Sequence, residues 1–161
     1  MIYAEEQDVI ARDSKKTDID HIAKNMRIDD INEIWASHHR LPKEALEIGF
    51  NDSLKCITVL KNNIPIIMFG LVPDSFLGLS ATIWMLSSND LKKIQVKFIK
   101  YSRYFIDIFL GMYPFLYNFV SDENKDSVRW LRYCKARMNG CVTYGAEKKQ
   151  FHPFMFDRYR R

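Results

Sequence analysis

The sequence predicts a single α/β domain built on a mixed sheet of about six or seven strands, with helices on both faces. Residues 82–120 read as a strand, a long helix and a second strand, and this order requires a parallel pair because the helix must pack back on the sheet. Residues 56–71 read as a β-hairpin, which adds antiparallel pairing. No internal repeat or low-complexity linker divides the 161 residues. One domain therefore spans residues 1–161, with a core at about 8–156 and a frayed basic tail at 157–161.

Composition favours a folded protein that is not secreted. The chain is 47% hydrophobic and 14% aromatic, which is ample for a buried core. It contains no run of eighteen apolar residues, and its acidic N-terminus is unlike a signal peptide, so we expect no membrane association. Three cysteines without a C-x-x-C pair indicate reduced thiols.

Charge is distributed unevenly along the chain. Residues 1–54 carry 7 basic and 12 acidic groups, whereas residues 129–161 carry 9 basic and 2 acidic groups. The basic end is either a solvated surface or a patch that binds phosphate, a cofactor or nucleic acid.

The N-terminal third predicts one strand, at residues 9–12, followed by three helices. A T-x-x-D capping pattern from Thr17 precedes a helix over residues 18–26. Asp29 is predicted to cap a second helix, which contains Ile31, Ile34 and Trp35. A third helix over residues 43–49 follows Pro42 in its first turn, with Gly49 as its C-terminal stop.

The middle of the chain predicts a hairpin, a strand and a long helix. The hairpin pairs residues 56–60 with 64–71 through a turn containing two asparagines, and a loop over residues 73–80 leads to a strand at 82–86. Residues 87–90 (SSND) are predicted to cap the long helix, whose apolar residues recur at steps of three and four from Leu91 to Met112. Lys93, Lys97 and Lys100 line its opposite side, either as a solvated face or as a phosphate-tracking stripe.

The last third predicts a buried strand at residues 116–120 and a helix capped by Ser121 or Asp122. The apolar face of that helix carries Leu131, Cys134 and Met138. Residues 141–144 and 151–156 are predicted to form a closing pair of strands.

Three stretches in this order resemble the GNAT (GCN5-related N-acetyltransferase) superfamily: residues 84–91 (WMLSSNDL), 113–120 (YPFLYNFV) and 124–133 (NKDSVRWLRY). The likeness is closer to a divergent branch in tailed bacteriophages, whose GNAT-like proteins are grouped with the internal virion protein of short-tailed phages. It spans about residues 8–156, although motif-grade similarity is confined to 82–138.

The resemblance implies a cleft where two central strands separate and where the pantetheine arm of acetyl-coenzyme A would lie. The pyrophosphate would lie at the start of the long helix. The cofactor-binding residues implied in this way are Leu86, Ser87, Ser88, Asn89 and Asn124. Acetyl-CoA is the cofactor implied, and no metal is expected.

The sequence departs from the family pattern at the residues that support catalysis. The turn reads SSNDLKK without a glycine, and Asp90 places a carboxylate where the pyrophosphate would lie. At the position of Leu131, active members of the family often have a tyrosine that acts as the general acid. Tyr133 points away from the helix face that carries this position. The strand at 82–86 offers no carboxylate or histidine as a general base, so no catalytic residue is predicted.

Other chemistry finds no support in the residue spacing. His21, His38, His39 and His152 match no zinc pattern with the three cysteines. His38 and His39 are interpreted as helix-end or surface residues, and Cys134 as a buried, inert thiol. The three tryptophans are expected in the core or at its edge.

The leading prediction is a phage GNAT-like protein with a degenerate acetyl-CoA site, a non-catalytic structural or assembly component of the virion. It would have virion or host protein partners or self-associate, and it would reside in the host cytoplasm or the virion. One alternative is an active acetyl-CoA-dependent N-acetyltransferase. A second is a nucleic-acid-binding protein that uses the basic C-terminal third.

Overall fold

A computed structural model describes residues 1–75 and 78–160, and within them the chain forms one nine-stranded sheet. The strands are β1 (Ile2–Glu6), β2 (Val9–Asp13), β3 (Lys55–Lys61), β4 (Ile64–Pro73), β5 (Ser80–Ser87), β6 (Phe115–Ser121), β7 (Arg137–Met138), β8 (Val142–Tyr144) and β9 (Lys149–Asp157). The order across the sheet is β1-β2-β3-β4-β5-β6-β9-β7, and β8 also pairs with β9.

Helices cover both faces of the sheet. They are α1 (Asp18–Lys24), α2 (Ile28–His38), α3 (Pro42–Asp52), α4 (Gln95–Met112) and α5 (Lys125–Tyr133), with 3-10 turns at Asn89–Ile94 and Arg158–Arg160. Helices α1–α3 pack on one face around Ile22, Leu46 and Met68. Helices α4 and α5 pack on the other face around Phe109, Leu116 and Leu131. This arrangement confirms the predicted α/β class with a mixed sheet.

The centre of the sheet contains one parallel pair, β5 with β6. Its register joins Ser80 to Phe115, Ala81 to Leu116 and Thr82 to Tyr117. The other pairings among the described strands are antiparallel. Because pairing of β5 with β6 covers three residues of strands that are eight and seven residues long, the two strands separate beyond Thr82.

The β3–β4 hairpin is confirmed, and its turn explains why two asparagines follow Lys61. Asn62 and Asn63 have φ values of 49° and 63°, in the left-handed region. Asparagine tolerates that region better than most residues, and two successive positive φ values give the turn a twist that matches the strands.

Two strands were not predicted. Strand β1 is an exposed edge strand whose acidic residues obscured its alternation, and it pairs antiparallel with β2. Strand β7 is only two residues long, too short to produce a periodic pattern.

Several predicted helix ends were wrong. Helix α2 begins at Ile28, so Asp29 lies inside it, and α3 runs past Gly49 to Asp52. Gly49 is instead a close-approach position, where a Cβ atom would lie 2.6 Å from Cζ2 of Trp84. Residues 87–90 do not cap α4: Ser88 precedes a 3-10 turn, and α4 begins only at Gln95.

The C-terminal predictions need three corrections. Asn124, rather than Ser121 or Asp122, caps α5 by accepting a hydrogen bond from the N–H of Ser127 at 3.3 Å. The helix ends at Tyr133, so Met138 lies in β7 and not on its apolar face. Residues 157–160 of the tail are ordered against the fold and not frayed, because the Arg158 guanidinium donates to the carbonyl of Leu110. Arg161 lies outside the described residues.

Three side-chain observations complete the fold. No disulfide bond joins Cys56, Cys134 or Cys141, all of which lie in the described residues. Trp35 is 47% exposed, so the expectation of a core position was wrong for that tryptophan. Among the described residues, no helix is both long and apolar enough to cross a membrane.

Candidate functional site

A cavity of about 590 Å³ occupies the gap between β5 and β6. Its walls come from both faces of the sheet, because Glu33, Ser37 and His38 of α2 line it together with Phe98 and Tyr101 of α4. Met85, Trp84 and Phe119 form part of the wall and do not fill the gap. The separation of the two strands therefore creates an open, largely apolar site.

Successive side chains along β5 point to opposite faces of the sheet. Trp84 and Leu86 pack with the α1–α3 cluster, whereas Ile83 packs with the core beneath α4 and α5. One side chain bridges the opening, since Asn118 Nδ2 on β6 donates to the carbonyl of Ile83 at 2.8 Å.

The C-terminal end of β5 is closed by a carboxylate from α2. Asp30 Oδ2 accepts a hydrogen bond from Ser87 N at 3.0 Å and a second from Ser87 Oγ at 3.2 Å. Asp30 is only 5% exposed, and burial raises the pKa of its carboxyl even though Arg27 lies 3.5 Å away. The donors at the end of β5 are thus satisfied by the protein itself.

The end of β6 is held by Glu33, one helical turn further along α2. Glu33 Oε2 accepts from Ser121 N at 2.9 Å and from Asn124 Nδ2 at 3.2 Å. Burial raises the pKa of Glu33 to about 7, against these hydrogen bonds, which favour the charged form. Glu33 also lines the cavity, so a carboxyl that titrates near neutrality lies at its wall.

The backbone N–H groups at the start of the 3-10 turn donate hydrogen bonds to β4 and to the linker between α1 and α2. Ser88 N donates to the carbonyl of Ile66 at 2.8 Å, and Asn89 N donates to the carbonyl of Asn25 at 2.9 Å. The linker also donates a hydrogen bond to β5, from Arg27 N to the carbonyl of Ser87 at 3.0 Å. A segment of this chain therefore lies along the loop where the resemblance places the pyrophosphate.

These contacts occupy three backbone amides of the loop where the resemblance places the pyrophosphate. The amides of Ser87, Ser88 and Asn89 all have protein acceptors. The Asp90 carboxylate pairs with Lys93 at 2.9 Å and places negative charge at the turn. Among the described residues of this loop, Ser88 Oγ is a buried oxygen that lacks a hydrogen-bond partner, and a single hydroxyl cannot replace a ring of amides.

The five predicted cofactor-binding residues occupy two places. Leu86 lines the cavity, and Asn124 touches Glu33 beside it. Ser87 and Ser88 are fully buried and Asn89 is exposed at the loop. Binding of coenzyme A by these residues stays a prediction.

The position where the resemblance implies a tyrosine as general acid carries no proton donor. Leu131 is 3% exposed and lines the cavity with an aliphatic side chain. Tyr133 lies on the surface, where the Arg103 guanidinium stacks 4.5 Å from its ring centroid. Its orientation agrees with the sequence prediction that it faces away from the site.

The two adjacent histidines end α2, as predicted. His38 is the last residue of the helix and lies on the cavity wall, where burial lowers its pKa. His39 adopts a left-handed conformation and pairs with Glu147 in the β8–β9 turn.

The β8–β9 turn closes one side of the cavity by docking on α2. Ala146 N donates to the carbonyl of Ser37 and Glu147 N to the carbonyl of Ala36, both at 3.0 Å. Tyr144 stacks on Phe119 with the ring centroids 4.0 Å apart and the planes 5° apart. Both rings line the cavity.

Sequence reasoning missed Asp30, Glu33 and Tyr144. The two carboxylates lie near the start of an acidic helix, where such residues usually serve the helix dipole on the surface. The structure inverts the expected pattern in α2, where the apolar Ile28 and Trp35 are exposed while Asp30 is buried.

Several of the basic side chains that could bind phosphate are engaged in intramolecular contacts. Lys100 pairs with Glu6 at 2.8 Å, and Lys97 donates to the carbonyl of the same residue. In the C-terminal third, Arg137 and Arg160 both approach Asp157. These contacts favour the interpretation of the charges as surface and intramolecular pairs.

The class of this protein follows from the sheet: a central parallel pair that separates, flanked by antiparallel strands and helices on both faces, is the GNAT acetyltransferase fold. The chain aligns with a GNAT-family acetyltransferase from Bacillus anthracis with a TM-score of 0.72 and 12% identity, covering 99% of this chain and 100% of that one. It aligns with the ribosomal-protein-S5-alanine acetyltransferase from Vibrio fischeri with a TM-score of 0.69 and 11% identity, covering 99% and 98%.

A third similar structure is the spermidine N-acetyltransferase from Vibrio cholerae in complex with CoA and spermine. Its TM-score is 0.61 at 12% identity, covering 96% of this chain and 98% of that one. At these identities the likeness establishes the fold and nothing finer. No protein-family model matches the chain, and neither does any curated protein sequence.

Proposed function

We propose that this chain is a non-catalytic GNAT-fold protein with a degenerate acetyl-CoA site, acting as a structural or assembly component of a phage virion. One observation carries the proposal: the amides of Ser87, Ser88 and Asn89 donate to Asp30, Ile66 and Asn25. A pyrophosphate would have to break all three hydrogen bonds and lie beside the Asp90 carboxylate. The aliphatic Leu131 removes the usual proton donor as well.

The phage assignment rests on the resemblance of residues 82–138 to the tailed-phage branch. On this proposal the partners are virion or host proteins or a second copy of the chain, and the protein resides in the host cytoplasm or the particle. Purified particles containing a tagged copy of the chain would support it. A strictly monomeric chain that is absent from particles would contradict it.

Calorimetric titration with acetyl-CoA and with CoA tests the degenerate site directly. We expect no saturable heat up to about 1 mM ligand, a concentration that corresponds to a binding free energy of about −4 kcal/mol. Saturable binding by the wild-type chain would contradict the proposal.

Two matched variants locate any binding that is observed. Asn89→Glu adds a negative charge at the loop, whereas Asn51→Glu adds the same charge at the end of α3. Heat that is lost in the first variant and kept in the second would place the cofactor at the loop and overturn the proposal.

The second candidate is an acetyl-CoA-dependent N-acetyltransferase, and Glu33 is the observation that favours it. A carboxyl with a pKa of about 7 at the wall of a 590 Å³ cavity matches the proton affinity wanted of a general base near neutral pH. Its proton acceptor would be Oε1, since Oε2 already accepts from Ser121 and Asn124.

An acetylation assay separates the two candidates. The chain is incubated with acetyl-CoA and a mixture of primary amines, and thiol release is followed for the wild type and for Glu33→Gln. The first candidate predicts the same background rate for both proteins. A wild-type rate above background that falls in Glu33→Gln would establish the second candidate instead.

A further inference from the structure

Three side chains with metal-binding atoms converge beside β6, β8 and β9. His152 Nε2 lies 3.0 Å from Asp122 Oδ1 and 3.3 Å from Cys141 Sγ. One nitrogen, one sulfur and one oxygen atom thus lie within 4.8 Å of one another. Nothing in the proposed function uses these residues.

The three residues come from distant parts of the sequence but from one rigid part of the fold. His152 lies on β9 opposite Val120, and Asp122 follows β6, with its N–H donating to the carbonyl of Gln150 at 3.0 Å. Cys141 directly precedes β8, which pairs with β9 from Val142 to Tyr144. Backbone hydrogen bonds therefore fix His152 and Asp122 directly, and Cys141 through the neighbouring residue Val142.

One nitrogen of the His152 ring lies against a backbone carbonyl, which leaves the other nitrogen on the side of Asp122. His152 Nδ1 lies 3.1 Å from the carbonyl oxygen of Asn139 and Nε2 lies 3.0 Å from Asp122 Oδ1, so each ring nitrogen faces an oxygen that accepts, and an ion at Nε2 would replace the proton between Nε2 and Asp122. Cys141 Sγ lies 3.3 Å from Nε2 and 3.6 Å from Nδ1, so the thiol sits beside the ring, nearer to Nε2. A backbone carbonyl that holds the second ring nitrogen is a common outer-shell arrangement around metals.

The spacing of the donor atoms suits tetrahedral coordination. Bond lengths of about 2.0 Å to nitrogen or oxygen and about 2.3 Å to sulfur place tetrahedral ligands roughly 3.3–3.6 Å apart. The observed separations of 3.0 and 3.3 Å are close to these values, and the exposed Cys141 side chain must rotate towards the Nε2 side of the ring to complete the geometry. A set of thiolate, imidazole and carboxylate ligands selects zinc-like ions over magnesium or calcium.

A catalytic Cys-His-Asp triad fits this geometry less well. In a triad the carboxylate holds the ring nitrogen opposite the one that faces the nucleophile. Here both Asp122 and Cys141 approach Nε2 most closely, and the opposite nitrogen is held by a carbonyl.

We propose that Asp122, Cys141 and His152 bind one zinc-class divalent ion, with the fourth position open to water or to a group from a partner. Binding forms a bond from the ion to Cys141 Sγ and releases the thiol proton to solvent. The Lys125 ammonium, 2.8 Å from Asp122 Oδ1, is 64% exposed and can swing away as the carboxylate turns to the ion.

Cobalt titration of the reduced, chelator-treated full-length chain tests this site. We expect one equivalent of Co²⁺ to produce a thiolate-to-metal charge-transfer band and the visible bands of four-coordinate cobalt, and one equivalent of Zn²⁺ to abolish both. Cys141→Ser should remove the charge-transfer band, and His152→Gln should weaken binding at least tenfold, about the smallest loss seen when an outer-shell partner is removed.

The matched control is Cys56→Ala, which removes a thiol on β3 whose pKa burial raises to about 11. It should bind cobalt as the wild type does. A wild-type chain without the charge-transfer band, or a band that persists in Cys141→Ser, would overturn the proposal.

An alkylation experiment on the wild-type chain avoids any folding defect in the variants. Cys141 is exposed and Cys134 is fully buried, so iodoacetamide should modify Cys141 first in the folded protein. One equivalent of Zn²⁺ should slow that modification at least tenfold. Equal rates with and without zinc would also contradict the site.

Discussion

Asp30 Oδ2 accepts a hydrogen bond from the backbone N–H of Ser87 at 3.0 Å, at the point where β5 ends. Three residues later on the same face of α2, Glu33 performs the same task for Ser121 at the end of β6. One turn of helix therefore braces both strands that separate around the cavity. The brace also occupies donors that an anionic ligand would need.

Removing the Asp30 carboxylate should destabilise the protein, whereas replacing it with an amide should not. Asp30→Ala leaves the buried N–H and hydroxyl of Ser87 without their acceptor, which costs about 1–3 kcal/mol per group. Asp30→Asn keeps an acceptor oxygen and removes a charge whose burial is unfavourable, so its free energy of unfolding should lie near that of the wild type.

Urea unfolding of both variants at pH 7 measures the Asp30 difference. Asp29→Ala, next to it on the surface side of α2, should change the unfolding free energy by no more than about 0.5 kcal/mol. Equal losses for Asp30→Ala and Asp29→Ala would show that the Ser87 contacts contribute little.

Glu33 should make stability fall as pH rises from about 4.5 to 7. In that window the unfolded chain ionises at its ordinary pKa of 4.5 while the folded protein, with a pKa of about 7, keeps the proton. The stabilisation is complete below pH 4.5 and lost above pH 7. Its full size is about 3 kcal/mol, at about 1.4 kcal/mol per pH unit of difference.

The Glu33 prediction is measured as the difference in unfolding free energy between the wild type and Glu33→Gln across pH 4–8. The amide in the Glu33→Gln variant cannot ionise, so the wild type should lose stability relative to that variant as pH rises. Glu5→Gln, on the exposed face of β1, should leave the wild-type profile unchanged. A constant wild-type to Glu33→Gln difference would refute the raised pKa.

Gly49 should not tolerate a side chain, although it lies inside a helix. A Cβ atom would lie 2.6 Å from Cζ2 of Trp84, and overpacking of this kind costs about 1–3 kcal/mol. Gly111 in α4 has no atom within 4 Å of the same position, so Gly111→Ala should be neutral or gain about 0.5–1 kcal/mol. Thermal unfolding of the two variants should shift in opposite directions, and matching shifts would contradict the packing argument.

Gly145 should be required for the β8–β9 turn to dock on α2. Its φ of +79° is unfavourable for other residues, and an added Cβ would lie 2.6 Å from the carbonyl oxygen of Ala36. Gly145→Ala should therefore speed hydrogen exchange at the amides of Ala146 and Glu147, which bond to α2. Gly140→Ala, in open space, should leave both amides protected; faster exchange in both variants would contradict this interpretation.

Local sequence patterns determined most of the elements and their order, with the exception of β1 and β7. The β3–β4 hairpin follows from β-branched runs and two asparagines, and the β5–α4–β6 crossover follows from a sustained apolar stripe between two strands. Helix ends were less predictable. Gly49 lacks any local sign that Trp84 approaches it from another element, and Ser87 looks like a cap although β5 extends through it.

The sequence by itself determined an α/β domain with a parallel pair at its centre, because periodicity and crossover geometry are local properties of the chain. It also showed that the loop at residues 87–93 lacks glycine and that Leu131 stands where the family often has a tyrosine as general acid. Only the tertiary structure decided what fills that loop and what lines the cavity. Asp30, Glu33 and Asn25 reach residues 57, 88 and 64 positions away, and Asp122, Cys141 and His152 meet across three segments. Such contacts depend on how elements pack, and no spacing along the chain records them.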